Sequence, residues 1–195
     1  MSLRLSGGRK LASPPGDRAR PTASRVRLAV MNMLAPRLGG CAWLDLCCGS
    51  GVMACEALQH GALRVVAVEQ DRRIAQVAKQ NLDRVANGLG VQAGSWQLHC
   101  QDVLQWLRQP ASDRFDLIYC DPPYSSGLYA PIAAAVAAGE WLTPSGLMLW
   151  ETASSSPPVL PEGWDLEQQR RYGSTTVMLI SRRAGCRGDT GSKPP

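Results

Sequence analysis

The sequence predicts an α/β fold: a doubly wound, mostly parallel sheet with helices on both faces, closed by an antiparallel C-terminal hairpin. Three observations carry that prediction. From residue 41 onward, short apolar runs alternate with segments of helical spacing, the pattern of successive β-α units. After residue 161 the alternation stops, and two strand-like runs flank Gly173-Ser174. The chain has 195 residues, 45% of them hydrophobic and 19% charged, which suits one domain, since domains run to roughly 100–200 residues.

Each element follows from a local pattern. Arg25 to Leu34 places Val26, Ala29, Val30, Met33 and Leu34 at helical spacing, with Arg25 and Arg27 off that stripe. This predicts an amphipathic helix that ends near Pro36 and Gly39-Gly40. Trp43 to Cys47 is a first strand, followed by a glycine turn and a helix from Val52 to His60 closed by Gly61. Arg64 to Val68 is a second strand, and residues 72–86 carry Ile74, Val77, Ala78, Leu82 and Val85 on one helical face. Trp96 to Cys100, a short helix at 103–108, and Phe115 to Cys120 continue the series. Leu128 to Ala138 is an Ala-rich helix with Pro131 in its first turn, Leu147 to Trp150 a fifth strand, and Ser154 to Pro161 a loop. Trp164 to Tyr172 and Thr175 to Ser181 form the hairpin. Residues 184–195 read as a disordered tail, and the Arg187-Gly188-Asp189 triplet within them as chance.

Charge is segregated along the chain. Residues 1–37 carry eight Lys or Arg against Asp17, residues 38–181 carry nine bases against fourteen acids, and the remainder carries four bases against Asp189. The reading is therefore a basic N-terminal arm and helix (1–37), a catalytic domain (38–183) and a tail (184–195). Arg outnumbers Lys eighteen to three, which suits planar recognition of phosphate and bases. Basic termini can equally be solvated surface, and arginine usage can reflect coding bias. No run of about 18 apolar residues occurs and MSLRLSGGRKL lacks a secretory apolar core, so a membrane span is not expected and a cytoplasmic location is. The seven cysteines contain no C-x-x-C pair; reduced, mostly buried thiols are expected, with no metal site and no disulfide framework.

Asp45, Gly49 and Gly51 form a D-x-x-x-G-x-G turn after the first strand, and Glu69 ends the second strand twenty residues after Gly49. Gly49, Gly51 and Ala54 also satisfy the G-x-G-x-x-A pattern of nicotinamide-binding folds. Asp45 decides between the two nucleotides. A carboxylate at the mouth of this loop repels a pyrophosphate, whereas S-adenosylmethionine has no phosphate and carries a cationic ammonium and sulfonium. Cys47 and Ser50 of the turn, and Gln70 beside Glu69, belong to the same candidate cofactor site. Glu69 would take the ribose hydroxyls. Asp102 would accept from the adenine amine with Val103 packed on the ring, although an N-cap role explains Asp102 equally well.

Asp121-Pro122-Pro123-Tyr124 follows the fourth strand, at the sheet edge where doubly wound folds bind ligands. An exocyclic amine is a poor nucleophile because its lone pair is delocalised into the ring. A site that methylates one needs acceptors to grip both N–H groups, and Asp121 with a proline carbonyl supplies them. The prolines stiffen the turn and remove backbone donors, and Tyr124 can stack on a base drawn out of its helix. Neither His60 nor His99 is needed; both read as structural.

In that order, LDLCCGSG (44–51), VVAVEQD (65–71) and DPPY (121–124) resemble class I S-adenosylmethionine-dependent N-methyltransferases with a Rossmann-like sheet. GRKL (8–11), RPT (20–22), RVR (25–27), Asn32 and RRYGSTTV (170–177) resemble the RsmD family of small-subunit ribosomal RNA guanine-N2 methyltransferases, over about residues 7–183. The resemblance implies a seven-stranded sheet with an N-terminal extension, and as substrate a guanine of 16S rRNA presented by the small ribosomal subunit; a monomer is the default expectation. It places Gly49 and Gly51 at the methionine end of the cofactor, Glu69 at the ribose, Asp102 at the adenine and Asp121 to Tyr124 at the guanine amine. Arg9, Lys10, Arg20, Thr22, Arg25 and Arg27 become the RNA contacts of the arm. Ser24 and Leu28 depart from the acidic residues usual in that arm.

Other readings remain open at this level. A DNA adenine-N6 or protein glutamine methyltransferase would use a similar site, but the first usually needs a separate recognition domain and the second typically has Asn in place of Asp121. A non-catalytic RNA-binding protein would leave residues 121–124 idle, and an oxidoreductase would bind NAD.

Overall fold

The computed structural model describes residues 3–14 and 24–183. Its elements are α1 (Ser24–Leu38), β1 (Ala42–Leu46), α2 (Val52–Gln59), β2 (Arg64–Glu69), α3 (Arg72–Leu89), β3 (Trp96–Cys100), α4 (Val103–Leu107), β4 (Phe115–Cys120), α5 (Tyr129–Ala138), β5 (Leu142–Ala153), β6 (Trp164–Tyr172) and β7 (Thr175–Arg182). They form one sheet in the order β3-β2-β1-β4-β5-β7-β6. β1 to β5 pair in parallel, while β7 runs antiparallel to both β5 and β6. The alternation of the sequence is thus realised as the expected doubly wound sheet with its terminal hairpin.

The central strands are apolar on both sides because both faces are covered. One core packs α1, α2 and α3 over Trp43, Val65, Ala67, Leu117 and Tyr119. The other packs α4 and α5 over Leu44, Val66, Ile118 and Trp150. Helix starts and stops have identifiable causes. Asp71 caps α3 by accepting from Arg73 N and Ile74 N at 2.8 and 3.2 Å, and Gly90 ends it with φ 66°. No described helix is long and apolar enough to cross a membrane. Of the cysteines, Cys41, Cys48, Cys55 and Cys120 are buried free thiols, Cys47 is half-buried and Cys100 exposed.

Helix α1 ends at Leu38, between Pro36 and Gly39-Gly40, as expected; in the last turn a proline removes only one hydrogen bond, and Leu38 is held by burial in the core. Two expectations are corrected. Strand β5 is longer than Leu147–Trp150. Leu142 stands opposite Phe115 across a bulge, and Ala153 opposite Thr175, so pairing extends it beyond the apolar run. Arg27, expected on the open side of α1, is 5% exposed. Its Nη2 donates to the Arg4 carbonyl, and its Nε lies 3.5 Å from Glu56 Oε1.

That inversion comes from the N-terminal segment. Residues 3–14 fold back on themselves, with a bridge between Arg4 and Lys10, and insert Leu3, Leu5 and Leu11 into the core beside α1 and α2. Each buried leucine contributes about 1.5–3 kcal/mol. The first residues therefore pack into the same body as the rest. Arg20, Thr22, Cys186, the Arg187-Gly188-Asp189 triplet and the rest of 184–195 lie outside the described residues.

Candidate active site

The parallel strands deliver their C-terminal ends to one edge of the sheet, and the chemistry-bearing residues collect there. β1 ends in the turn Cys47–Gly51. Cys47 takes φ 61°, costly for a residue with a side chain, and Gly49 and Gly51 take φ 54° and 71°. A Cβ on Gly51 would meet Ala78 Cβ of α3 at 3.2 Å, whereas a Cβ on Gly49 would meet nothing within 4 Å. Gly51 is thus small for helix packing, and Gly49 leaves open space against bare backbone.

Carboxylates surround that turn. Asp45, 1% exposed, accepts from Ala54 N at 2.9 Å through Oδ2, and its Oδ1 is buried with no hydrogen-bond partner. Burial pushes its pKa up to about 8, against the Ala54 hydrogen bond and with a push from Glu69. Glu69 accepts from Gly49 N and Asp71 N, both at 2.9 Å, so it braces the turn as well as facing it. Asp102 caps α4, accepting from Leu104 N and Gln105 N at 2.9 Å through Oδ1. The N-cap reading of Asp102 is correct; its Oδ2 makes no hydrogen bond among the described residues. The Cys47 thiol is pushed up to about 12 by burial and by Glu69, Asp121, Asp45 and Asp102.

Of the remaining candidates on this side, Ser50 is buried and its carbonyl accepts from Asn81 Nδ2 at 3.0 Å. Val103 is buried, and Gln70 is exposed beside Glu69. Glu69, Asp102 and Asp121 form an anionic rim around an open glycine backbone, beside the buried Asp45 with its one unpartnered carboxyl oxygen. This donor set fits a cationic, phosphate-free nucleotide, and it repels a pyrophosphate.

Asp121 continues β4 beyond Cys120, its N–H donating to Leu46 O at 3.4 Å. Residues 121–124 are therefore next to the glycine turn 47–51, across the β1–β4 pair. Pro122 is buried, Pro123 and Tyr124 are exposed. The Pro123 carbonyl accepts from Ser126 N at 2.8 Å, which closes the turn and leaves the Pro122 carbonyl without a donor among the described residues. Behind the turn stands a group absent from the sequence-based set. Glu151, at the end of β5, is 4% exposed; it receives the Tyr119 hydroxyl on Oε2, and its carbonyl accepts from Tyr129 Oη at 2.5 Å. The only sequence signal was an acid directly after the apolar run Leu147 to Trp150.

The arm candidates divide. Arg9 donates to the carbonyls of Arg84 and Val85 at 3.3 and 3.2 Å and of Gly88 at 3.5 Å, so it caps the end of α3 rather than facing outward. Arg27 is sequestered as described. Lys10 and Arg25 are exposed. The remaining two, Arg20 and Thr22, lie outside the described residues. No cluster of potential metal ligands occurs among the described residues.

Comparison with known proteins points the same way. The model of a family described as conserved hypothetical protein 95 matches residues 5–181. Ribosomal RNA small subunit methyltransferase D of Haemophilus influenzae is 31% identical over 88% of this chain and 88% of its own length. Its namesake from Escherichia coli K12 is 29% identical over 91% of this chain and 86% of its own. Among solved structures, an Escherichia coli protein assigned as a methyltransferase, yhhF, superposes with a TM-score of 0.80 at 29% identity, over 94% of this chain and 99% of that one.

Proposed function

Since the chain belongs to the RsmD family, the one described as conserved hypothetical protein 95, we propose that this methyltransferase transfers a methyl group from S-adenosylmethionine to the N2 amine of a guanine in 16S rRNA of the small ribosomal subunit. The observation that carries the reading is the juxtaposition at one sheet edge of the anionic glycine turn after β1 and the stiff Asp121–Tyr124 turn after β4. S-adenosylmethionine, when bound, supplies a methyl group already activated by a positive sulfur. The protein's own task is alignment, an effect worth up to roughly 7–11 kcal/mol in well-oriented reactions.

Asp45, Gly49 and Gly51 would hold the methionine end, Glu69 the ribose and Asp102 Oδ2 the adenine amine, with Cys47, Ser50, Gln70 and Val103 lining the cleft. The Asp121 carboxylate and the Pro122 carbonyl accept from the two N–H groups of the guanine amine and so direct its lone pair toward the methyl. The Pro123 carbonyl, already bonded to Ser126 N, holds the turn closed. Tyr124, 36% exposed, offers its ring to the flipped base. Transfer would exchange the methyl–sulfur bond of the cofactor for the new N–C bond and leave a neutral thioether, and the Asp121 carboxylate is the acceptor for the proton that the methylated, cationic amine sheds.

The test is transfer of labelled methyl to unmethylated small subunits and to naked 16S rRNA, followed by nucleoside mass spectrometry. N2-methylguanosine is expected. Intact cofactor binding with no label in RNA would move the protein to DNA or protein amides.

A further inference from the structure

The sequestration of Arg9 and Arg27 leaves the RNA backbone without two of the cations the arm was expected to supply. The four carboxylates around Cys47 also keep phosphates out of the cleft itself. A guanine held at residues 121–124 must have its backbone led across the rim by other groups. We infer that Arg170 and Arg171, at the end of edge strand β6, are phosphate contacts of the RNA substrate; this rests on the methyltransferase reading above.

The strand register places them. Cys120 stands opposite Trp150, so Asp121 is in the row of Glu151. Glu151 stands opposite Val177, and Val177 opposite Arg170. Arg170 is thus in the same row as Asp121, three strands away, or about 14 Å. Arg171 is one row further toward the rim, opposite Thr176. At 3.4 Å per stacked nucleotide along one strand, that separation corresponds to about four nucleotides from the target base.

The surroundings suit a polyanion. Both arginines are exposed, and no Asp or Glu occurs from Gln168 to Arg183 or in the adjoining loop 154–161. Acidic residues on the hairpin sit lower: Asp165 holds Arg183 at 2.7 Å, and Glu167 accepts from Ser181 Oγ at 2.5 Å. Arg171 Nε donates to Gly173 O at 3.0 Å, which fixes the guanidinium at the hairpin tip with other N–H groups outward. The tip itself is tied to the end of β5 by Ser154 N donating to Ser174 O at 2.8 Å. The pair is therefore presented by a fixed scaffold at a set distance from the catalytic turn.

The experiment compares wild type with Arg170→Ala/Arg171→Ala, using small subunits and 16S rRNA over a salt series. The expected result is a KM for RNA raised about tenfold near physiological salt and a salt slope of log affinity reduced by about one to two, with kcat, cofactor affinity and melting temperature unchanged. Arg108→Ala, at the end of α4 beside the end of α5, should leave all of these unchanged. Wild-type KM and slope in the double variant would overturn the inference. So would lost RNA affinity accompanied by self-association, which would assign the pair to protection of a sheet edge. If wild type transfers methyl to RNA and the variant matches it, only the inference falls; if wild type transfers none, the methyltransferase reading falls, and the RNA contact with it.

Discussion

Asp45 and Asp121 are both carboxylates at strand ends, yet their surroundings give them different work. Asp121 is half-buried at the turn proposed to hold the guanine amine, so Asp121→Ala should lower kcat by about 100-fold or more, with cofactor affinity by isothermal titration unchanged. Asp45 is fully enclosed, with one oxygen unpartnered and a pKa of about 8 against an ordinary 3.8. Because the folded value lies above the unfolded one, its contribution to stability is present at low pH and is lost as pH rises from about 4 to 8. Asp45→Asn should therefore stabilise the ligand-free protein at pH 8 and differ little from wild type near pH 4, as followed by urea unfolding. The same variant should lose most of the affinity for a cationic cofactor.

At the scale of elements, the N-terminal segment is held by two buried polar side chains. Glu56 accepts from Ser6 N and Ser6 Oγ at 2.9 and 2.7 Å and faces Arg27. Removing it strands a buried cation, so Glu56→Ala should cost about 3–5 kcal/mol in urea unfolding. Asn81 of α3 accepts from Ala12 N at 2.8 Å and donates to the carbonyls of Ala12 and Ser50, both at 3.0 Å, joining the segment to the cofactor turn. Asn81→Ala should lower both stability and cofactor affinity. Arg25 and Arg27 make opposite predictions although they are two residues apart. Arg27→Ala should lower the urea midpoint with the salt slope of RNA binding intact, and Arg25→Ala should lower the slope with the midpoint intact.

Among the described residues, Asp45, Glu69, Asp102 and Asp121 gather at the glycine turn, while Arg170 and Arg171 are exposed at the end of β6. RNA binding should therefore weaken steeply between about 50 and 200 mM salt, while cofactor binding at the partly buried carboxylates weakens much less; filter binding and calorimetry over the same series would show the contrast. How legible this was depended on the range of the interactions. The β-α alternation, the glycine turn after β1 and the turn at 121–124 are local patterns, whereas the pairing of β1 with β4, strands that are not consecutive in the chain, sets the two turns side by side.

The sequence by itself thus determined the β-α alternation and the order of its motifs, because each is written within a few consecutive residues. Only the tertiary structure decided which charges are available. Arg9 is spent on the end of α3 and Arg27 on Glu56, because Leu3, Leu5 and Leu11 draw the N-terminal segment into the core and bring partners up to 79 residues apart together. Glu151 and Arg170 joined the row of Asp121 by cross-strand register, a relation between distant segments that no single stretch of sequence contains.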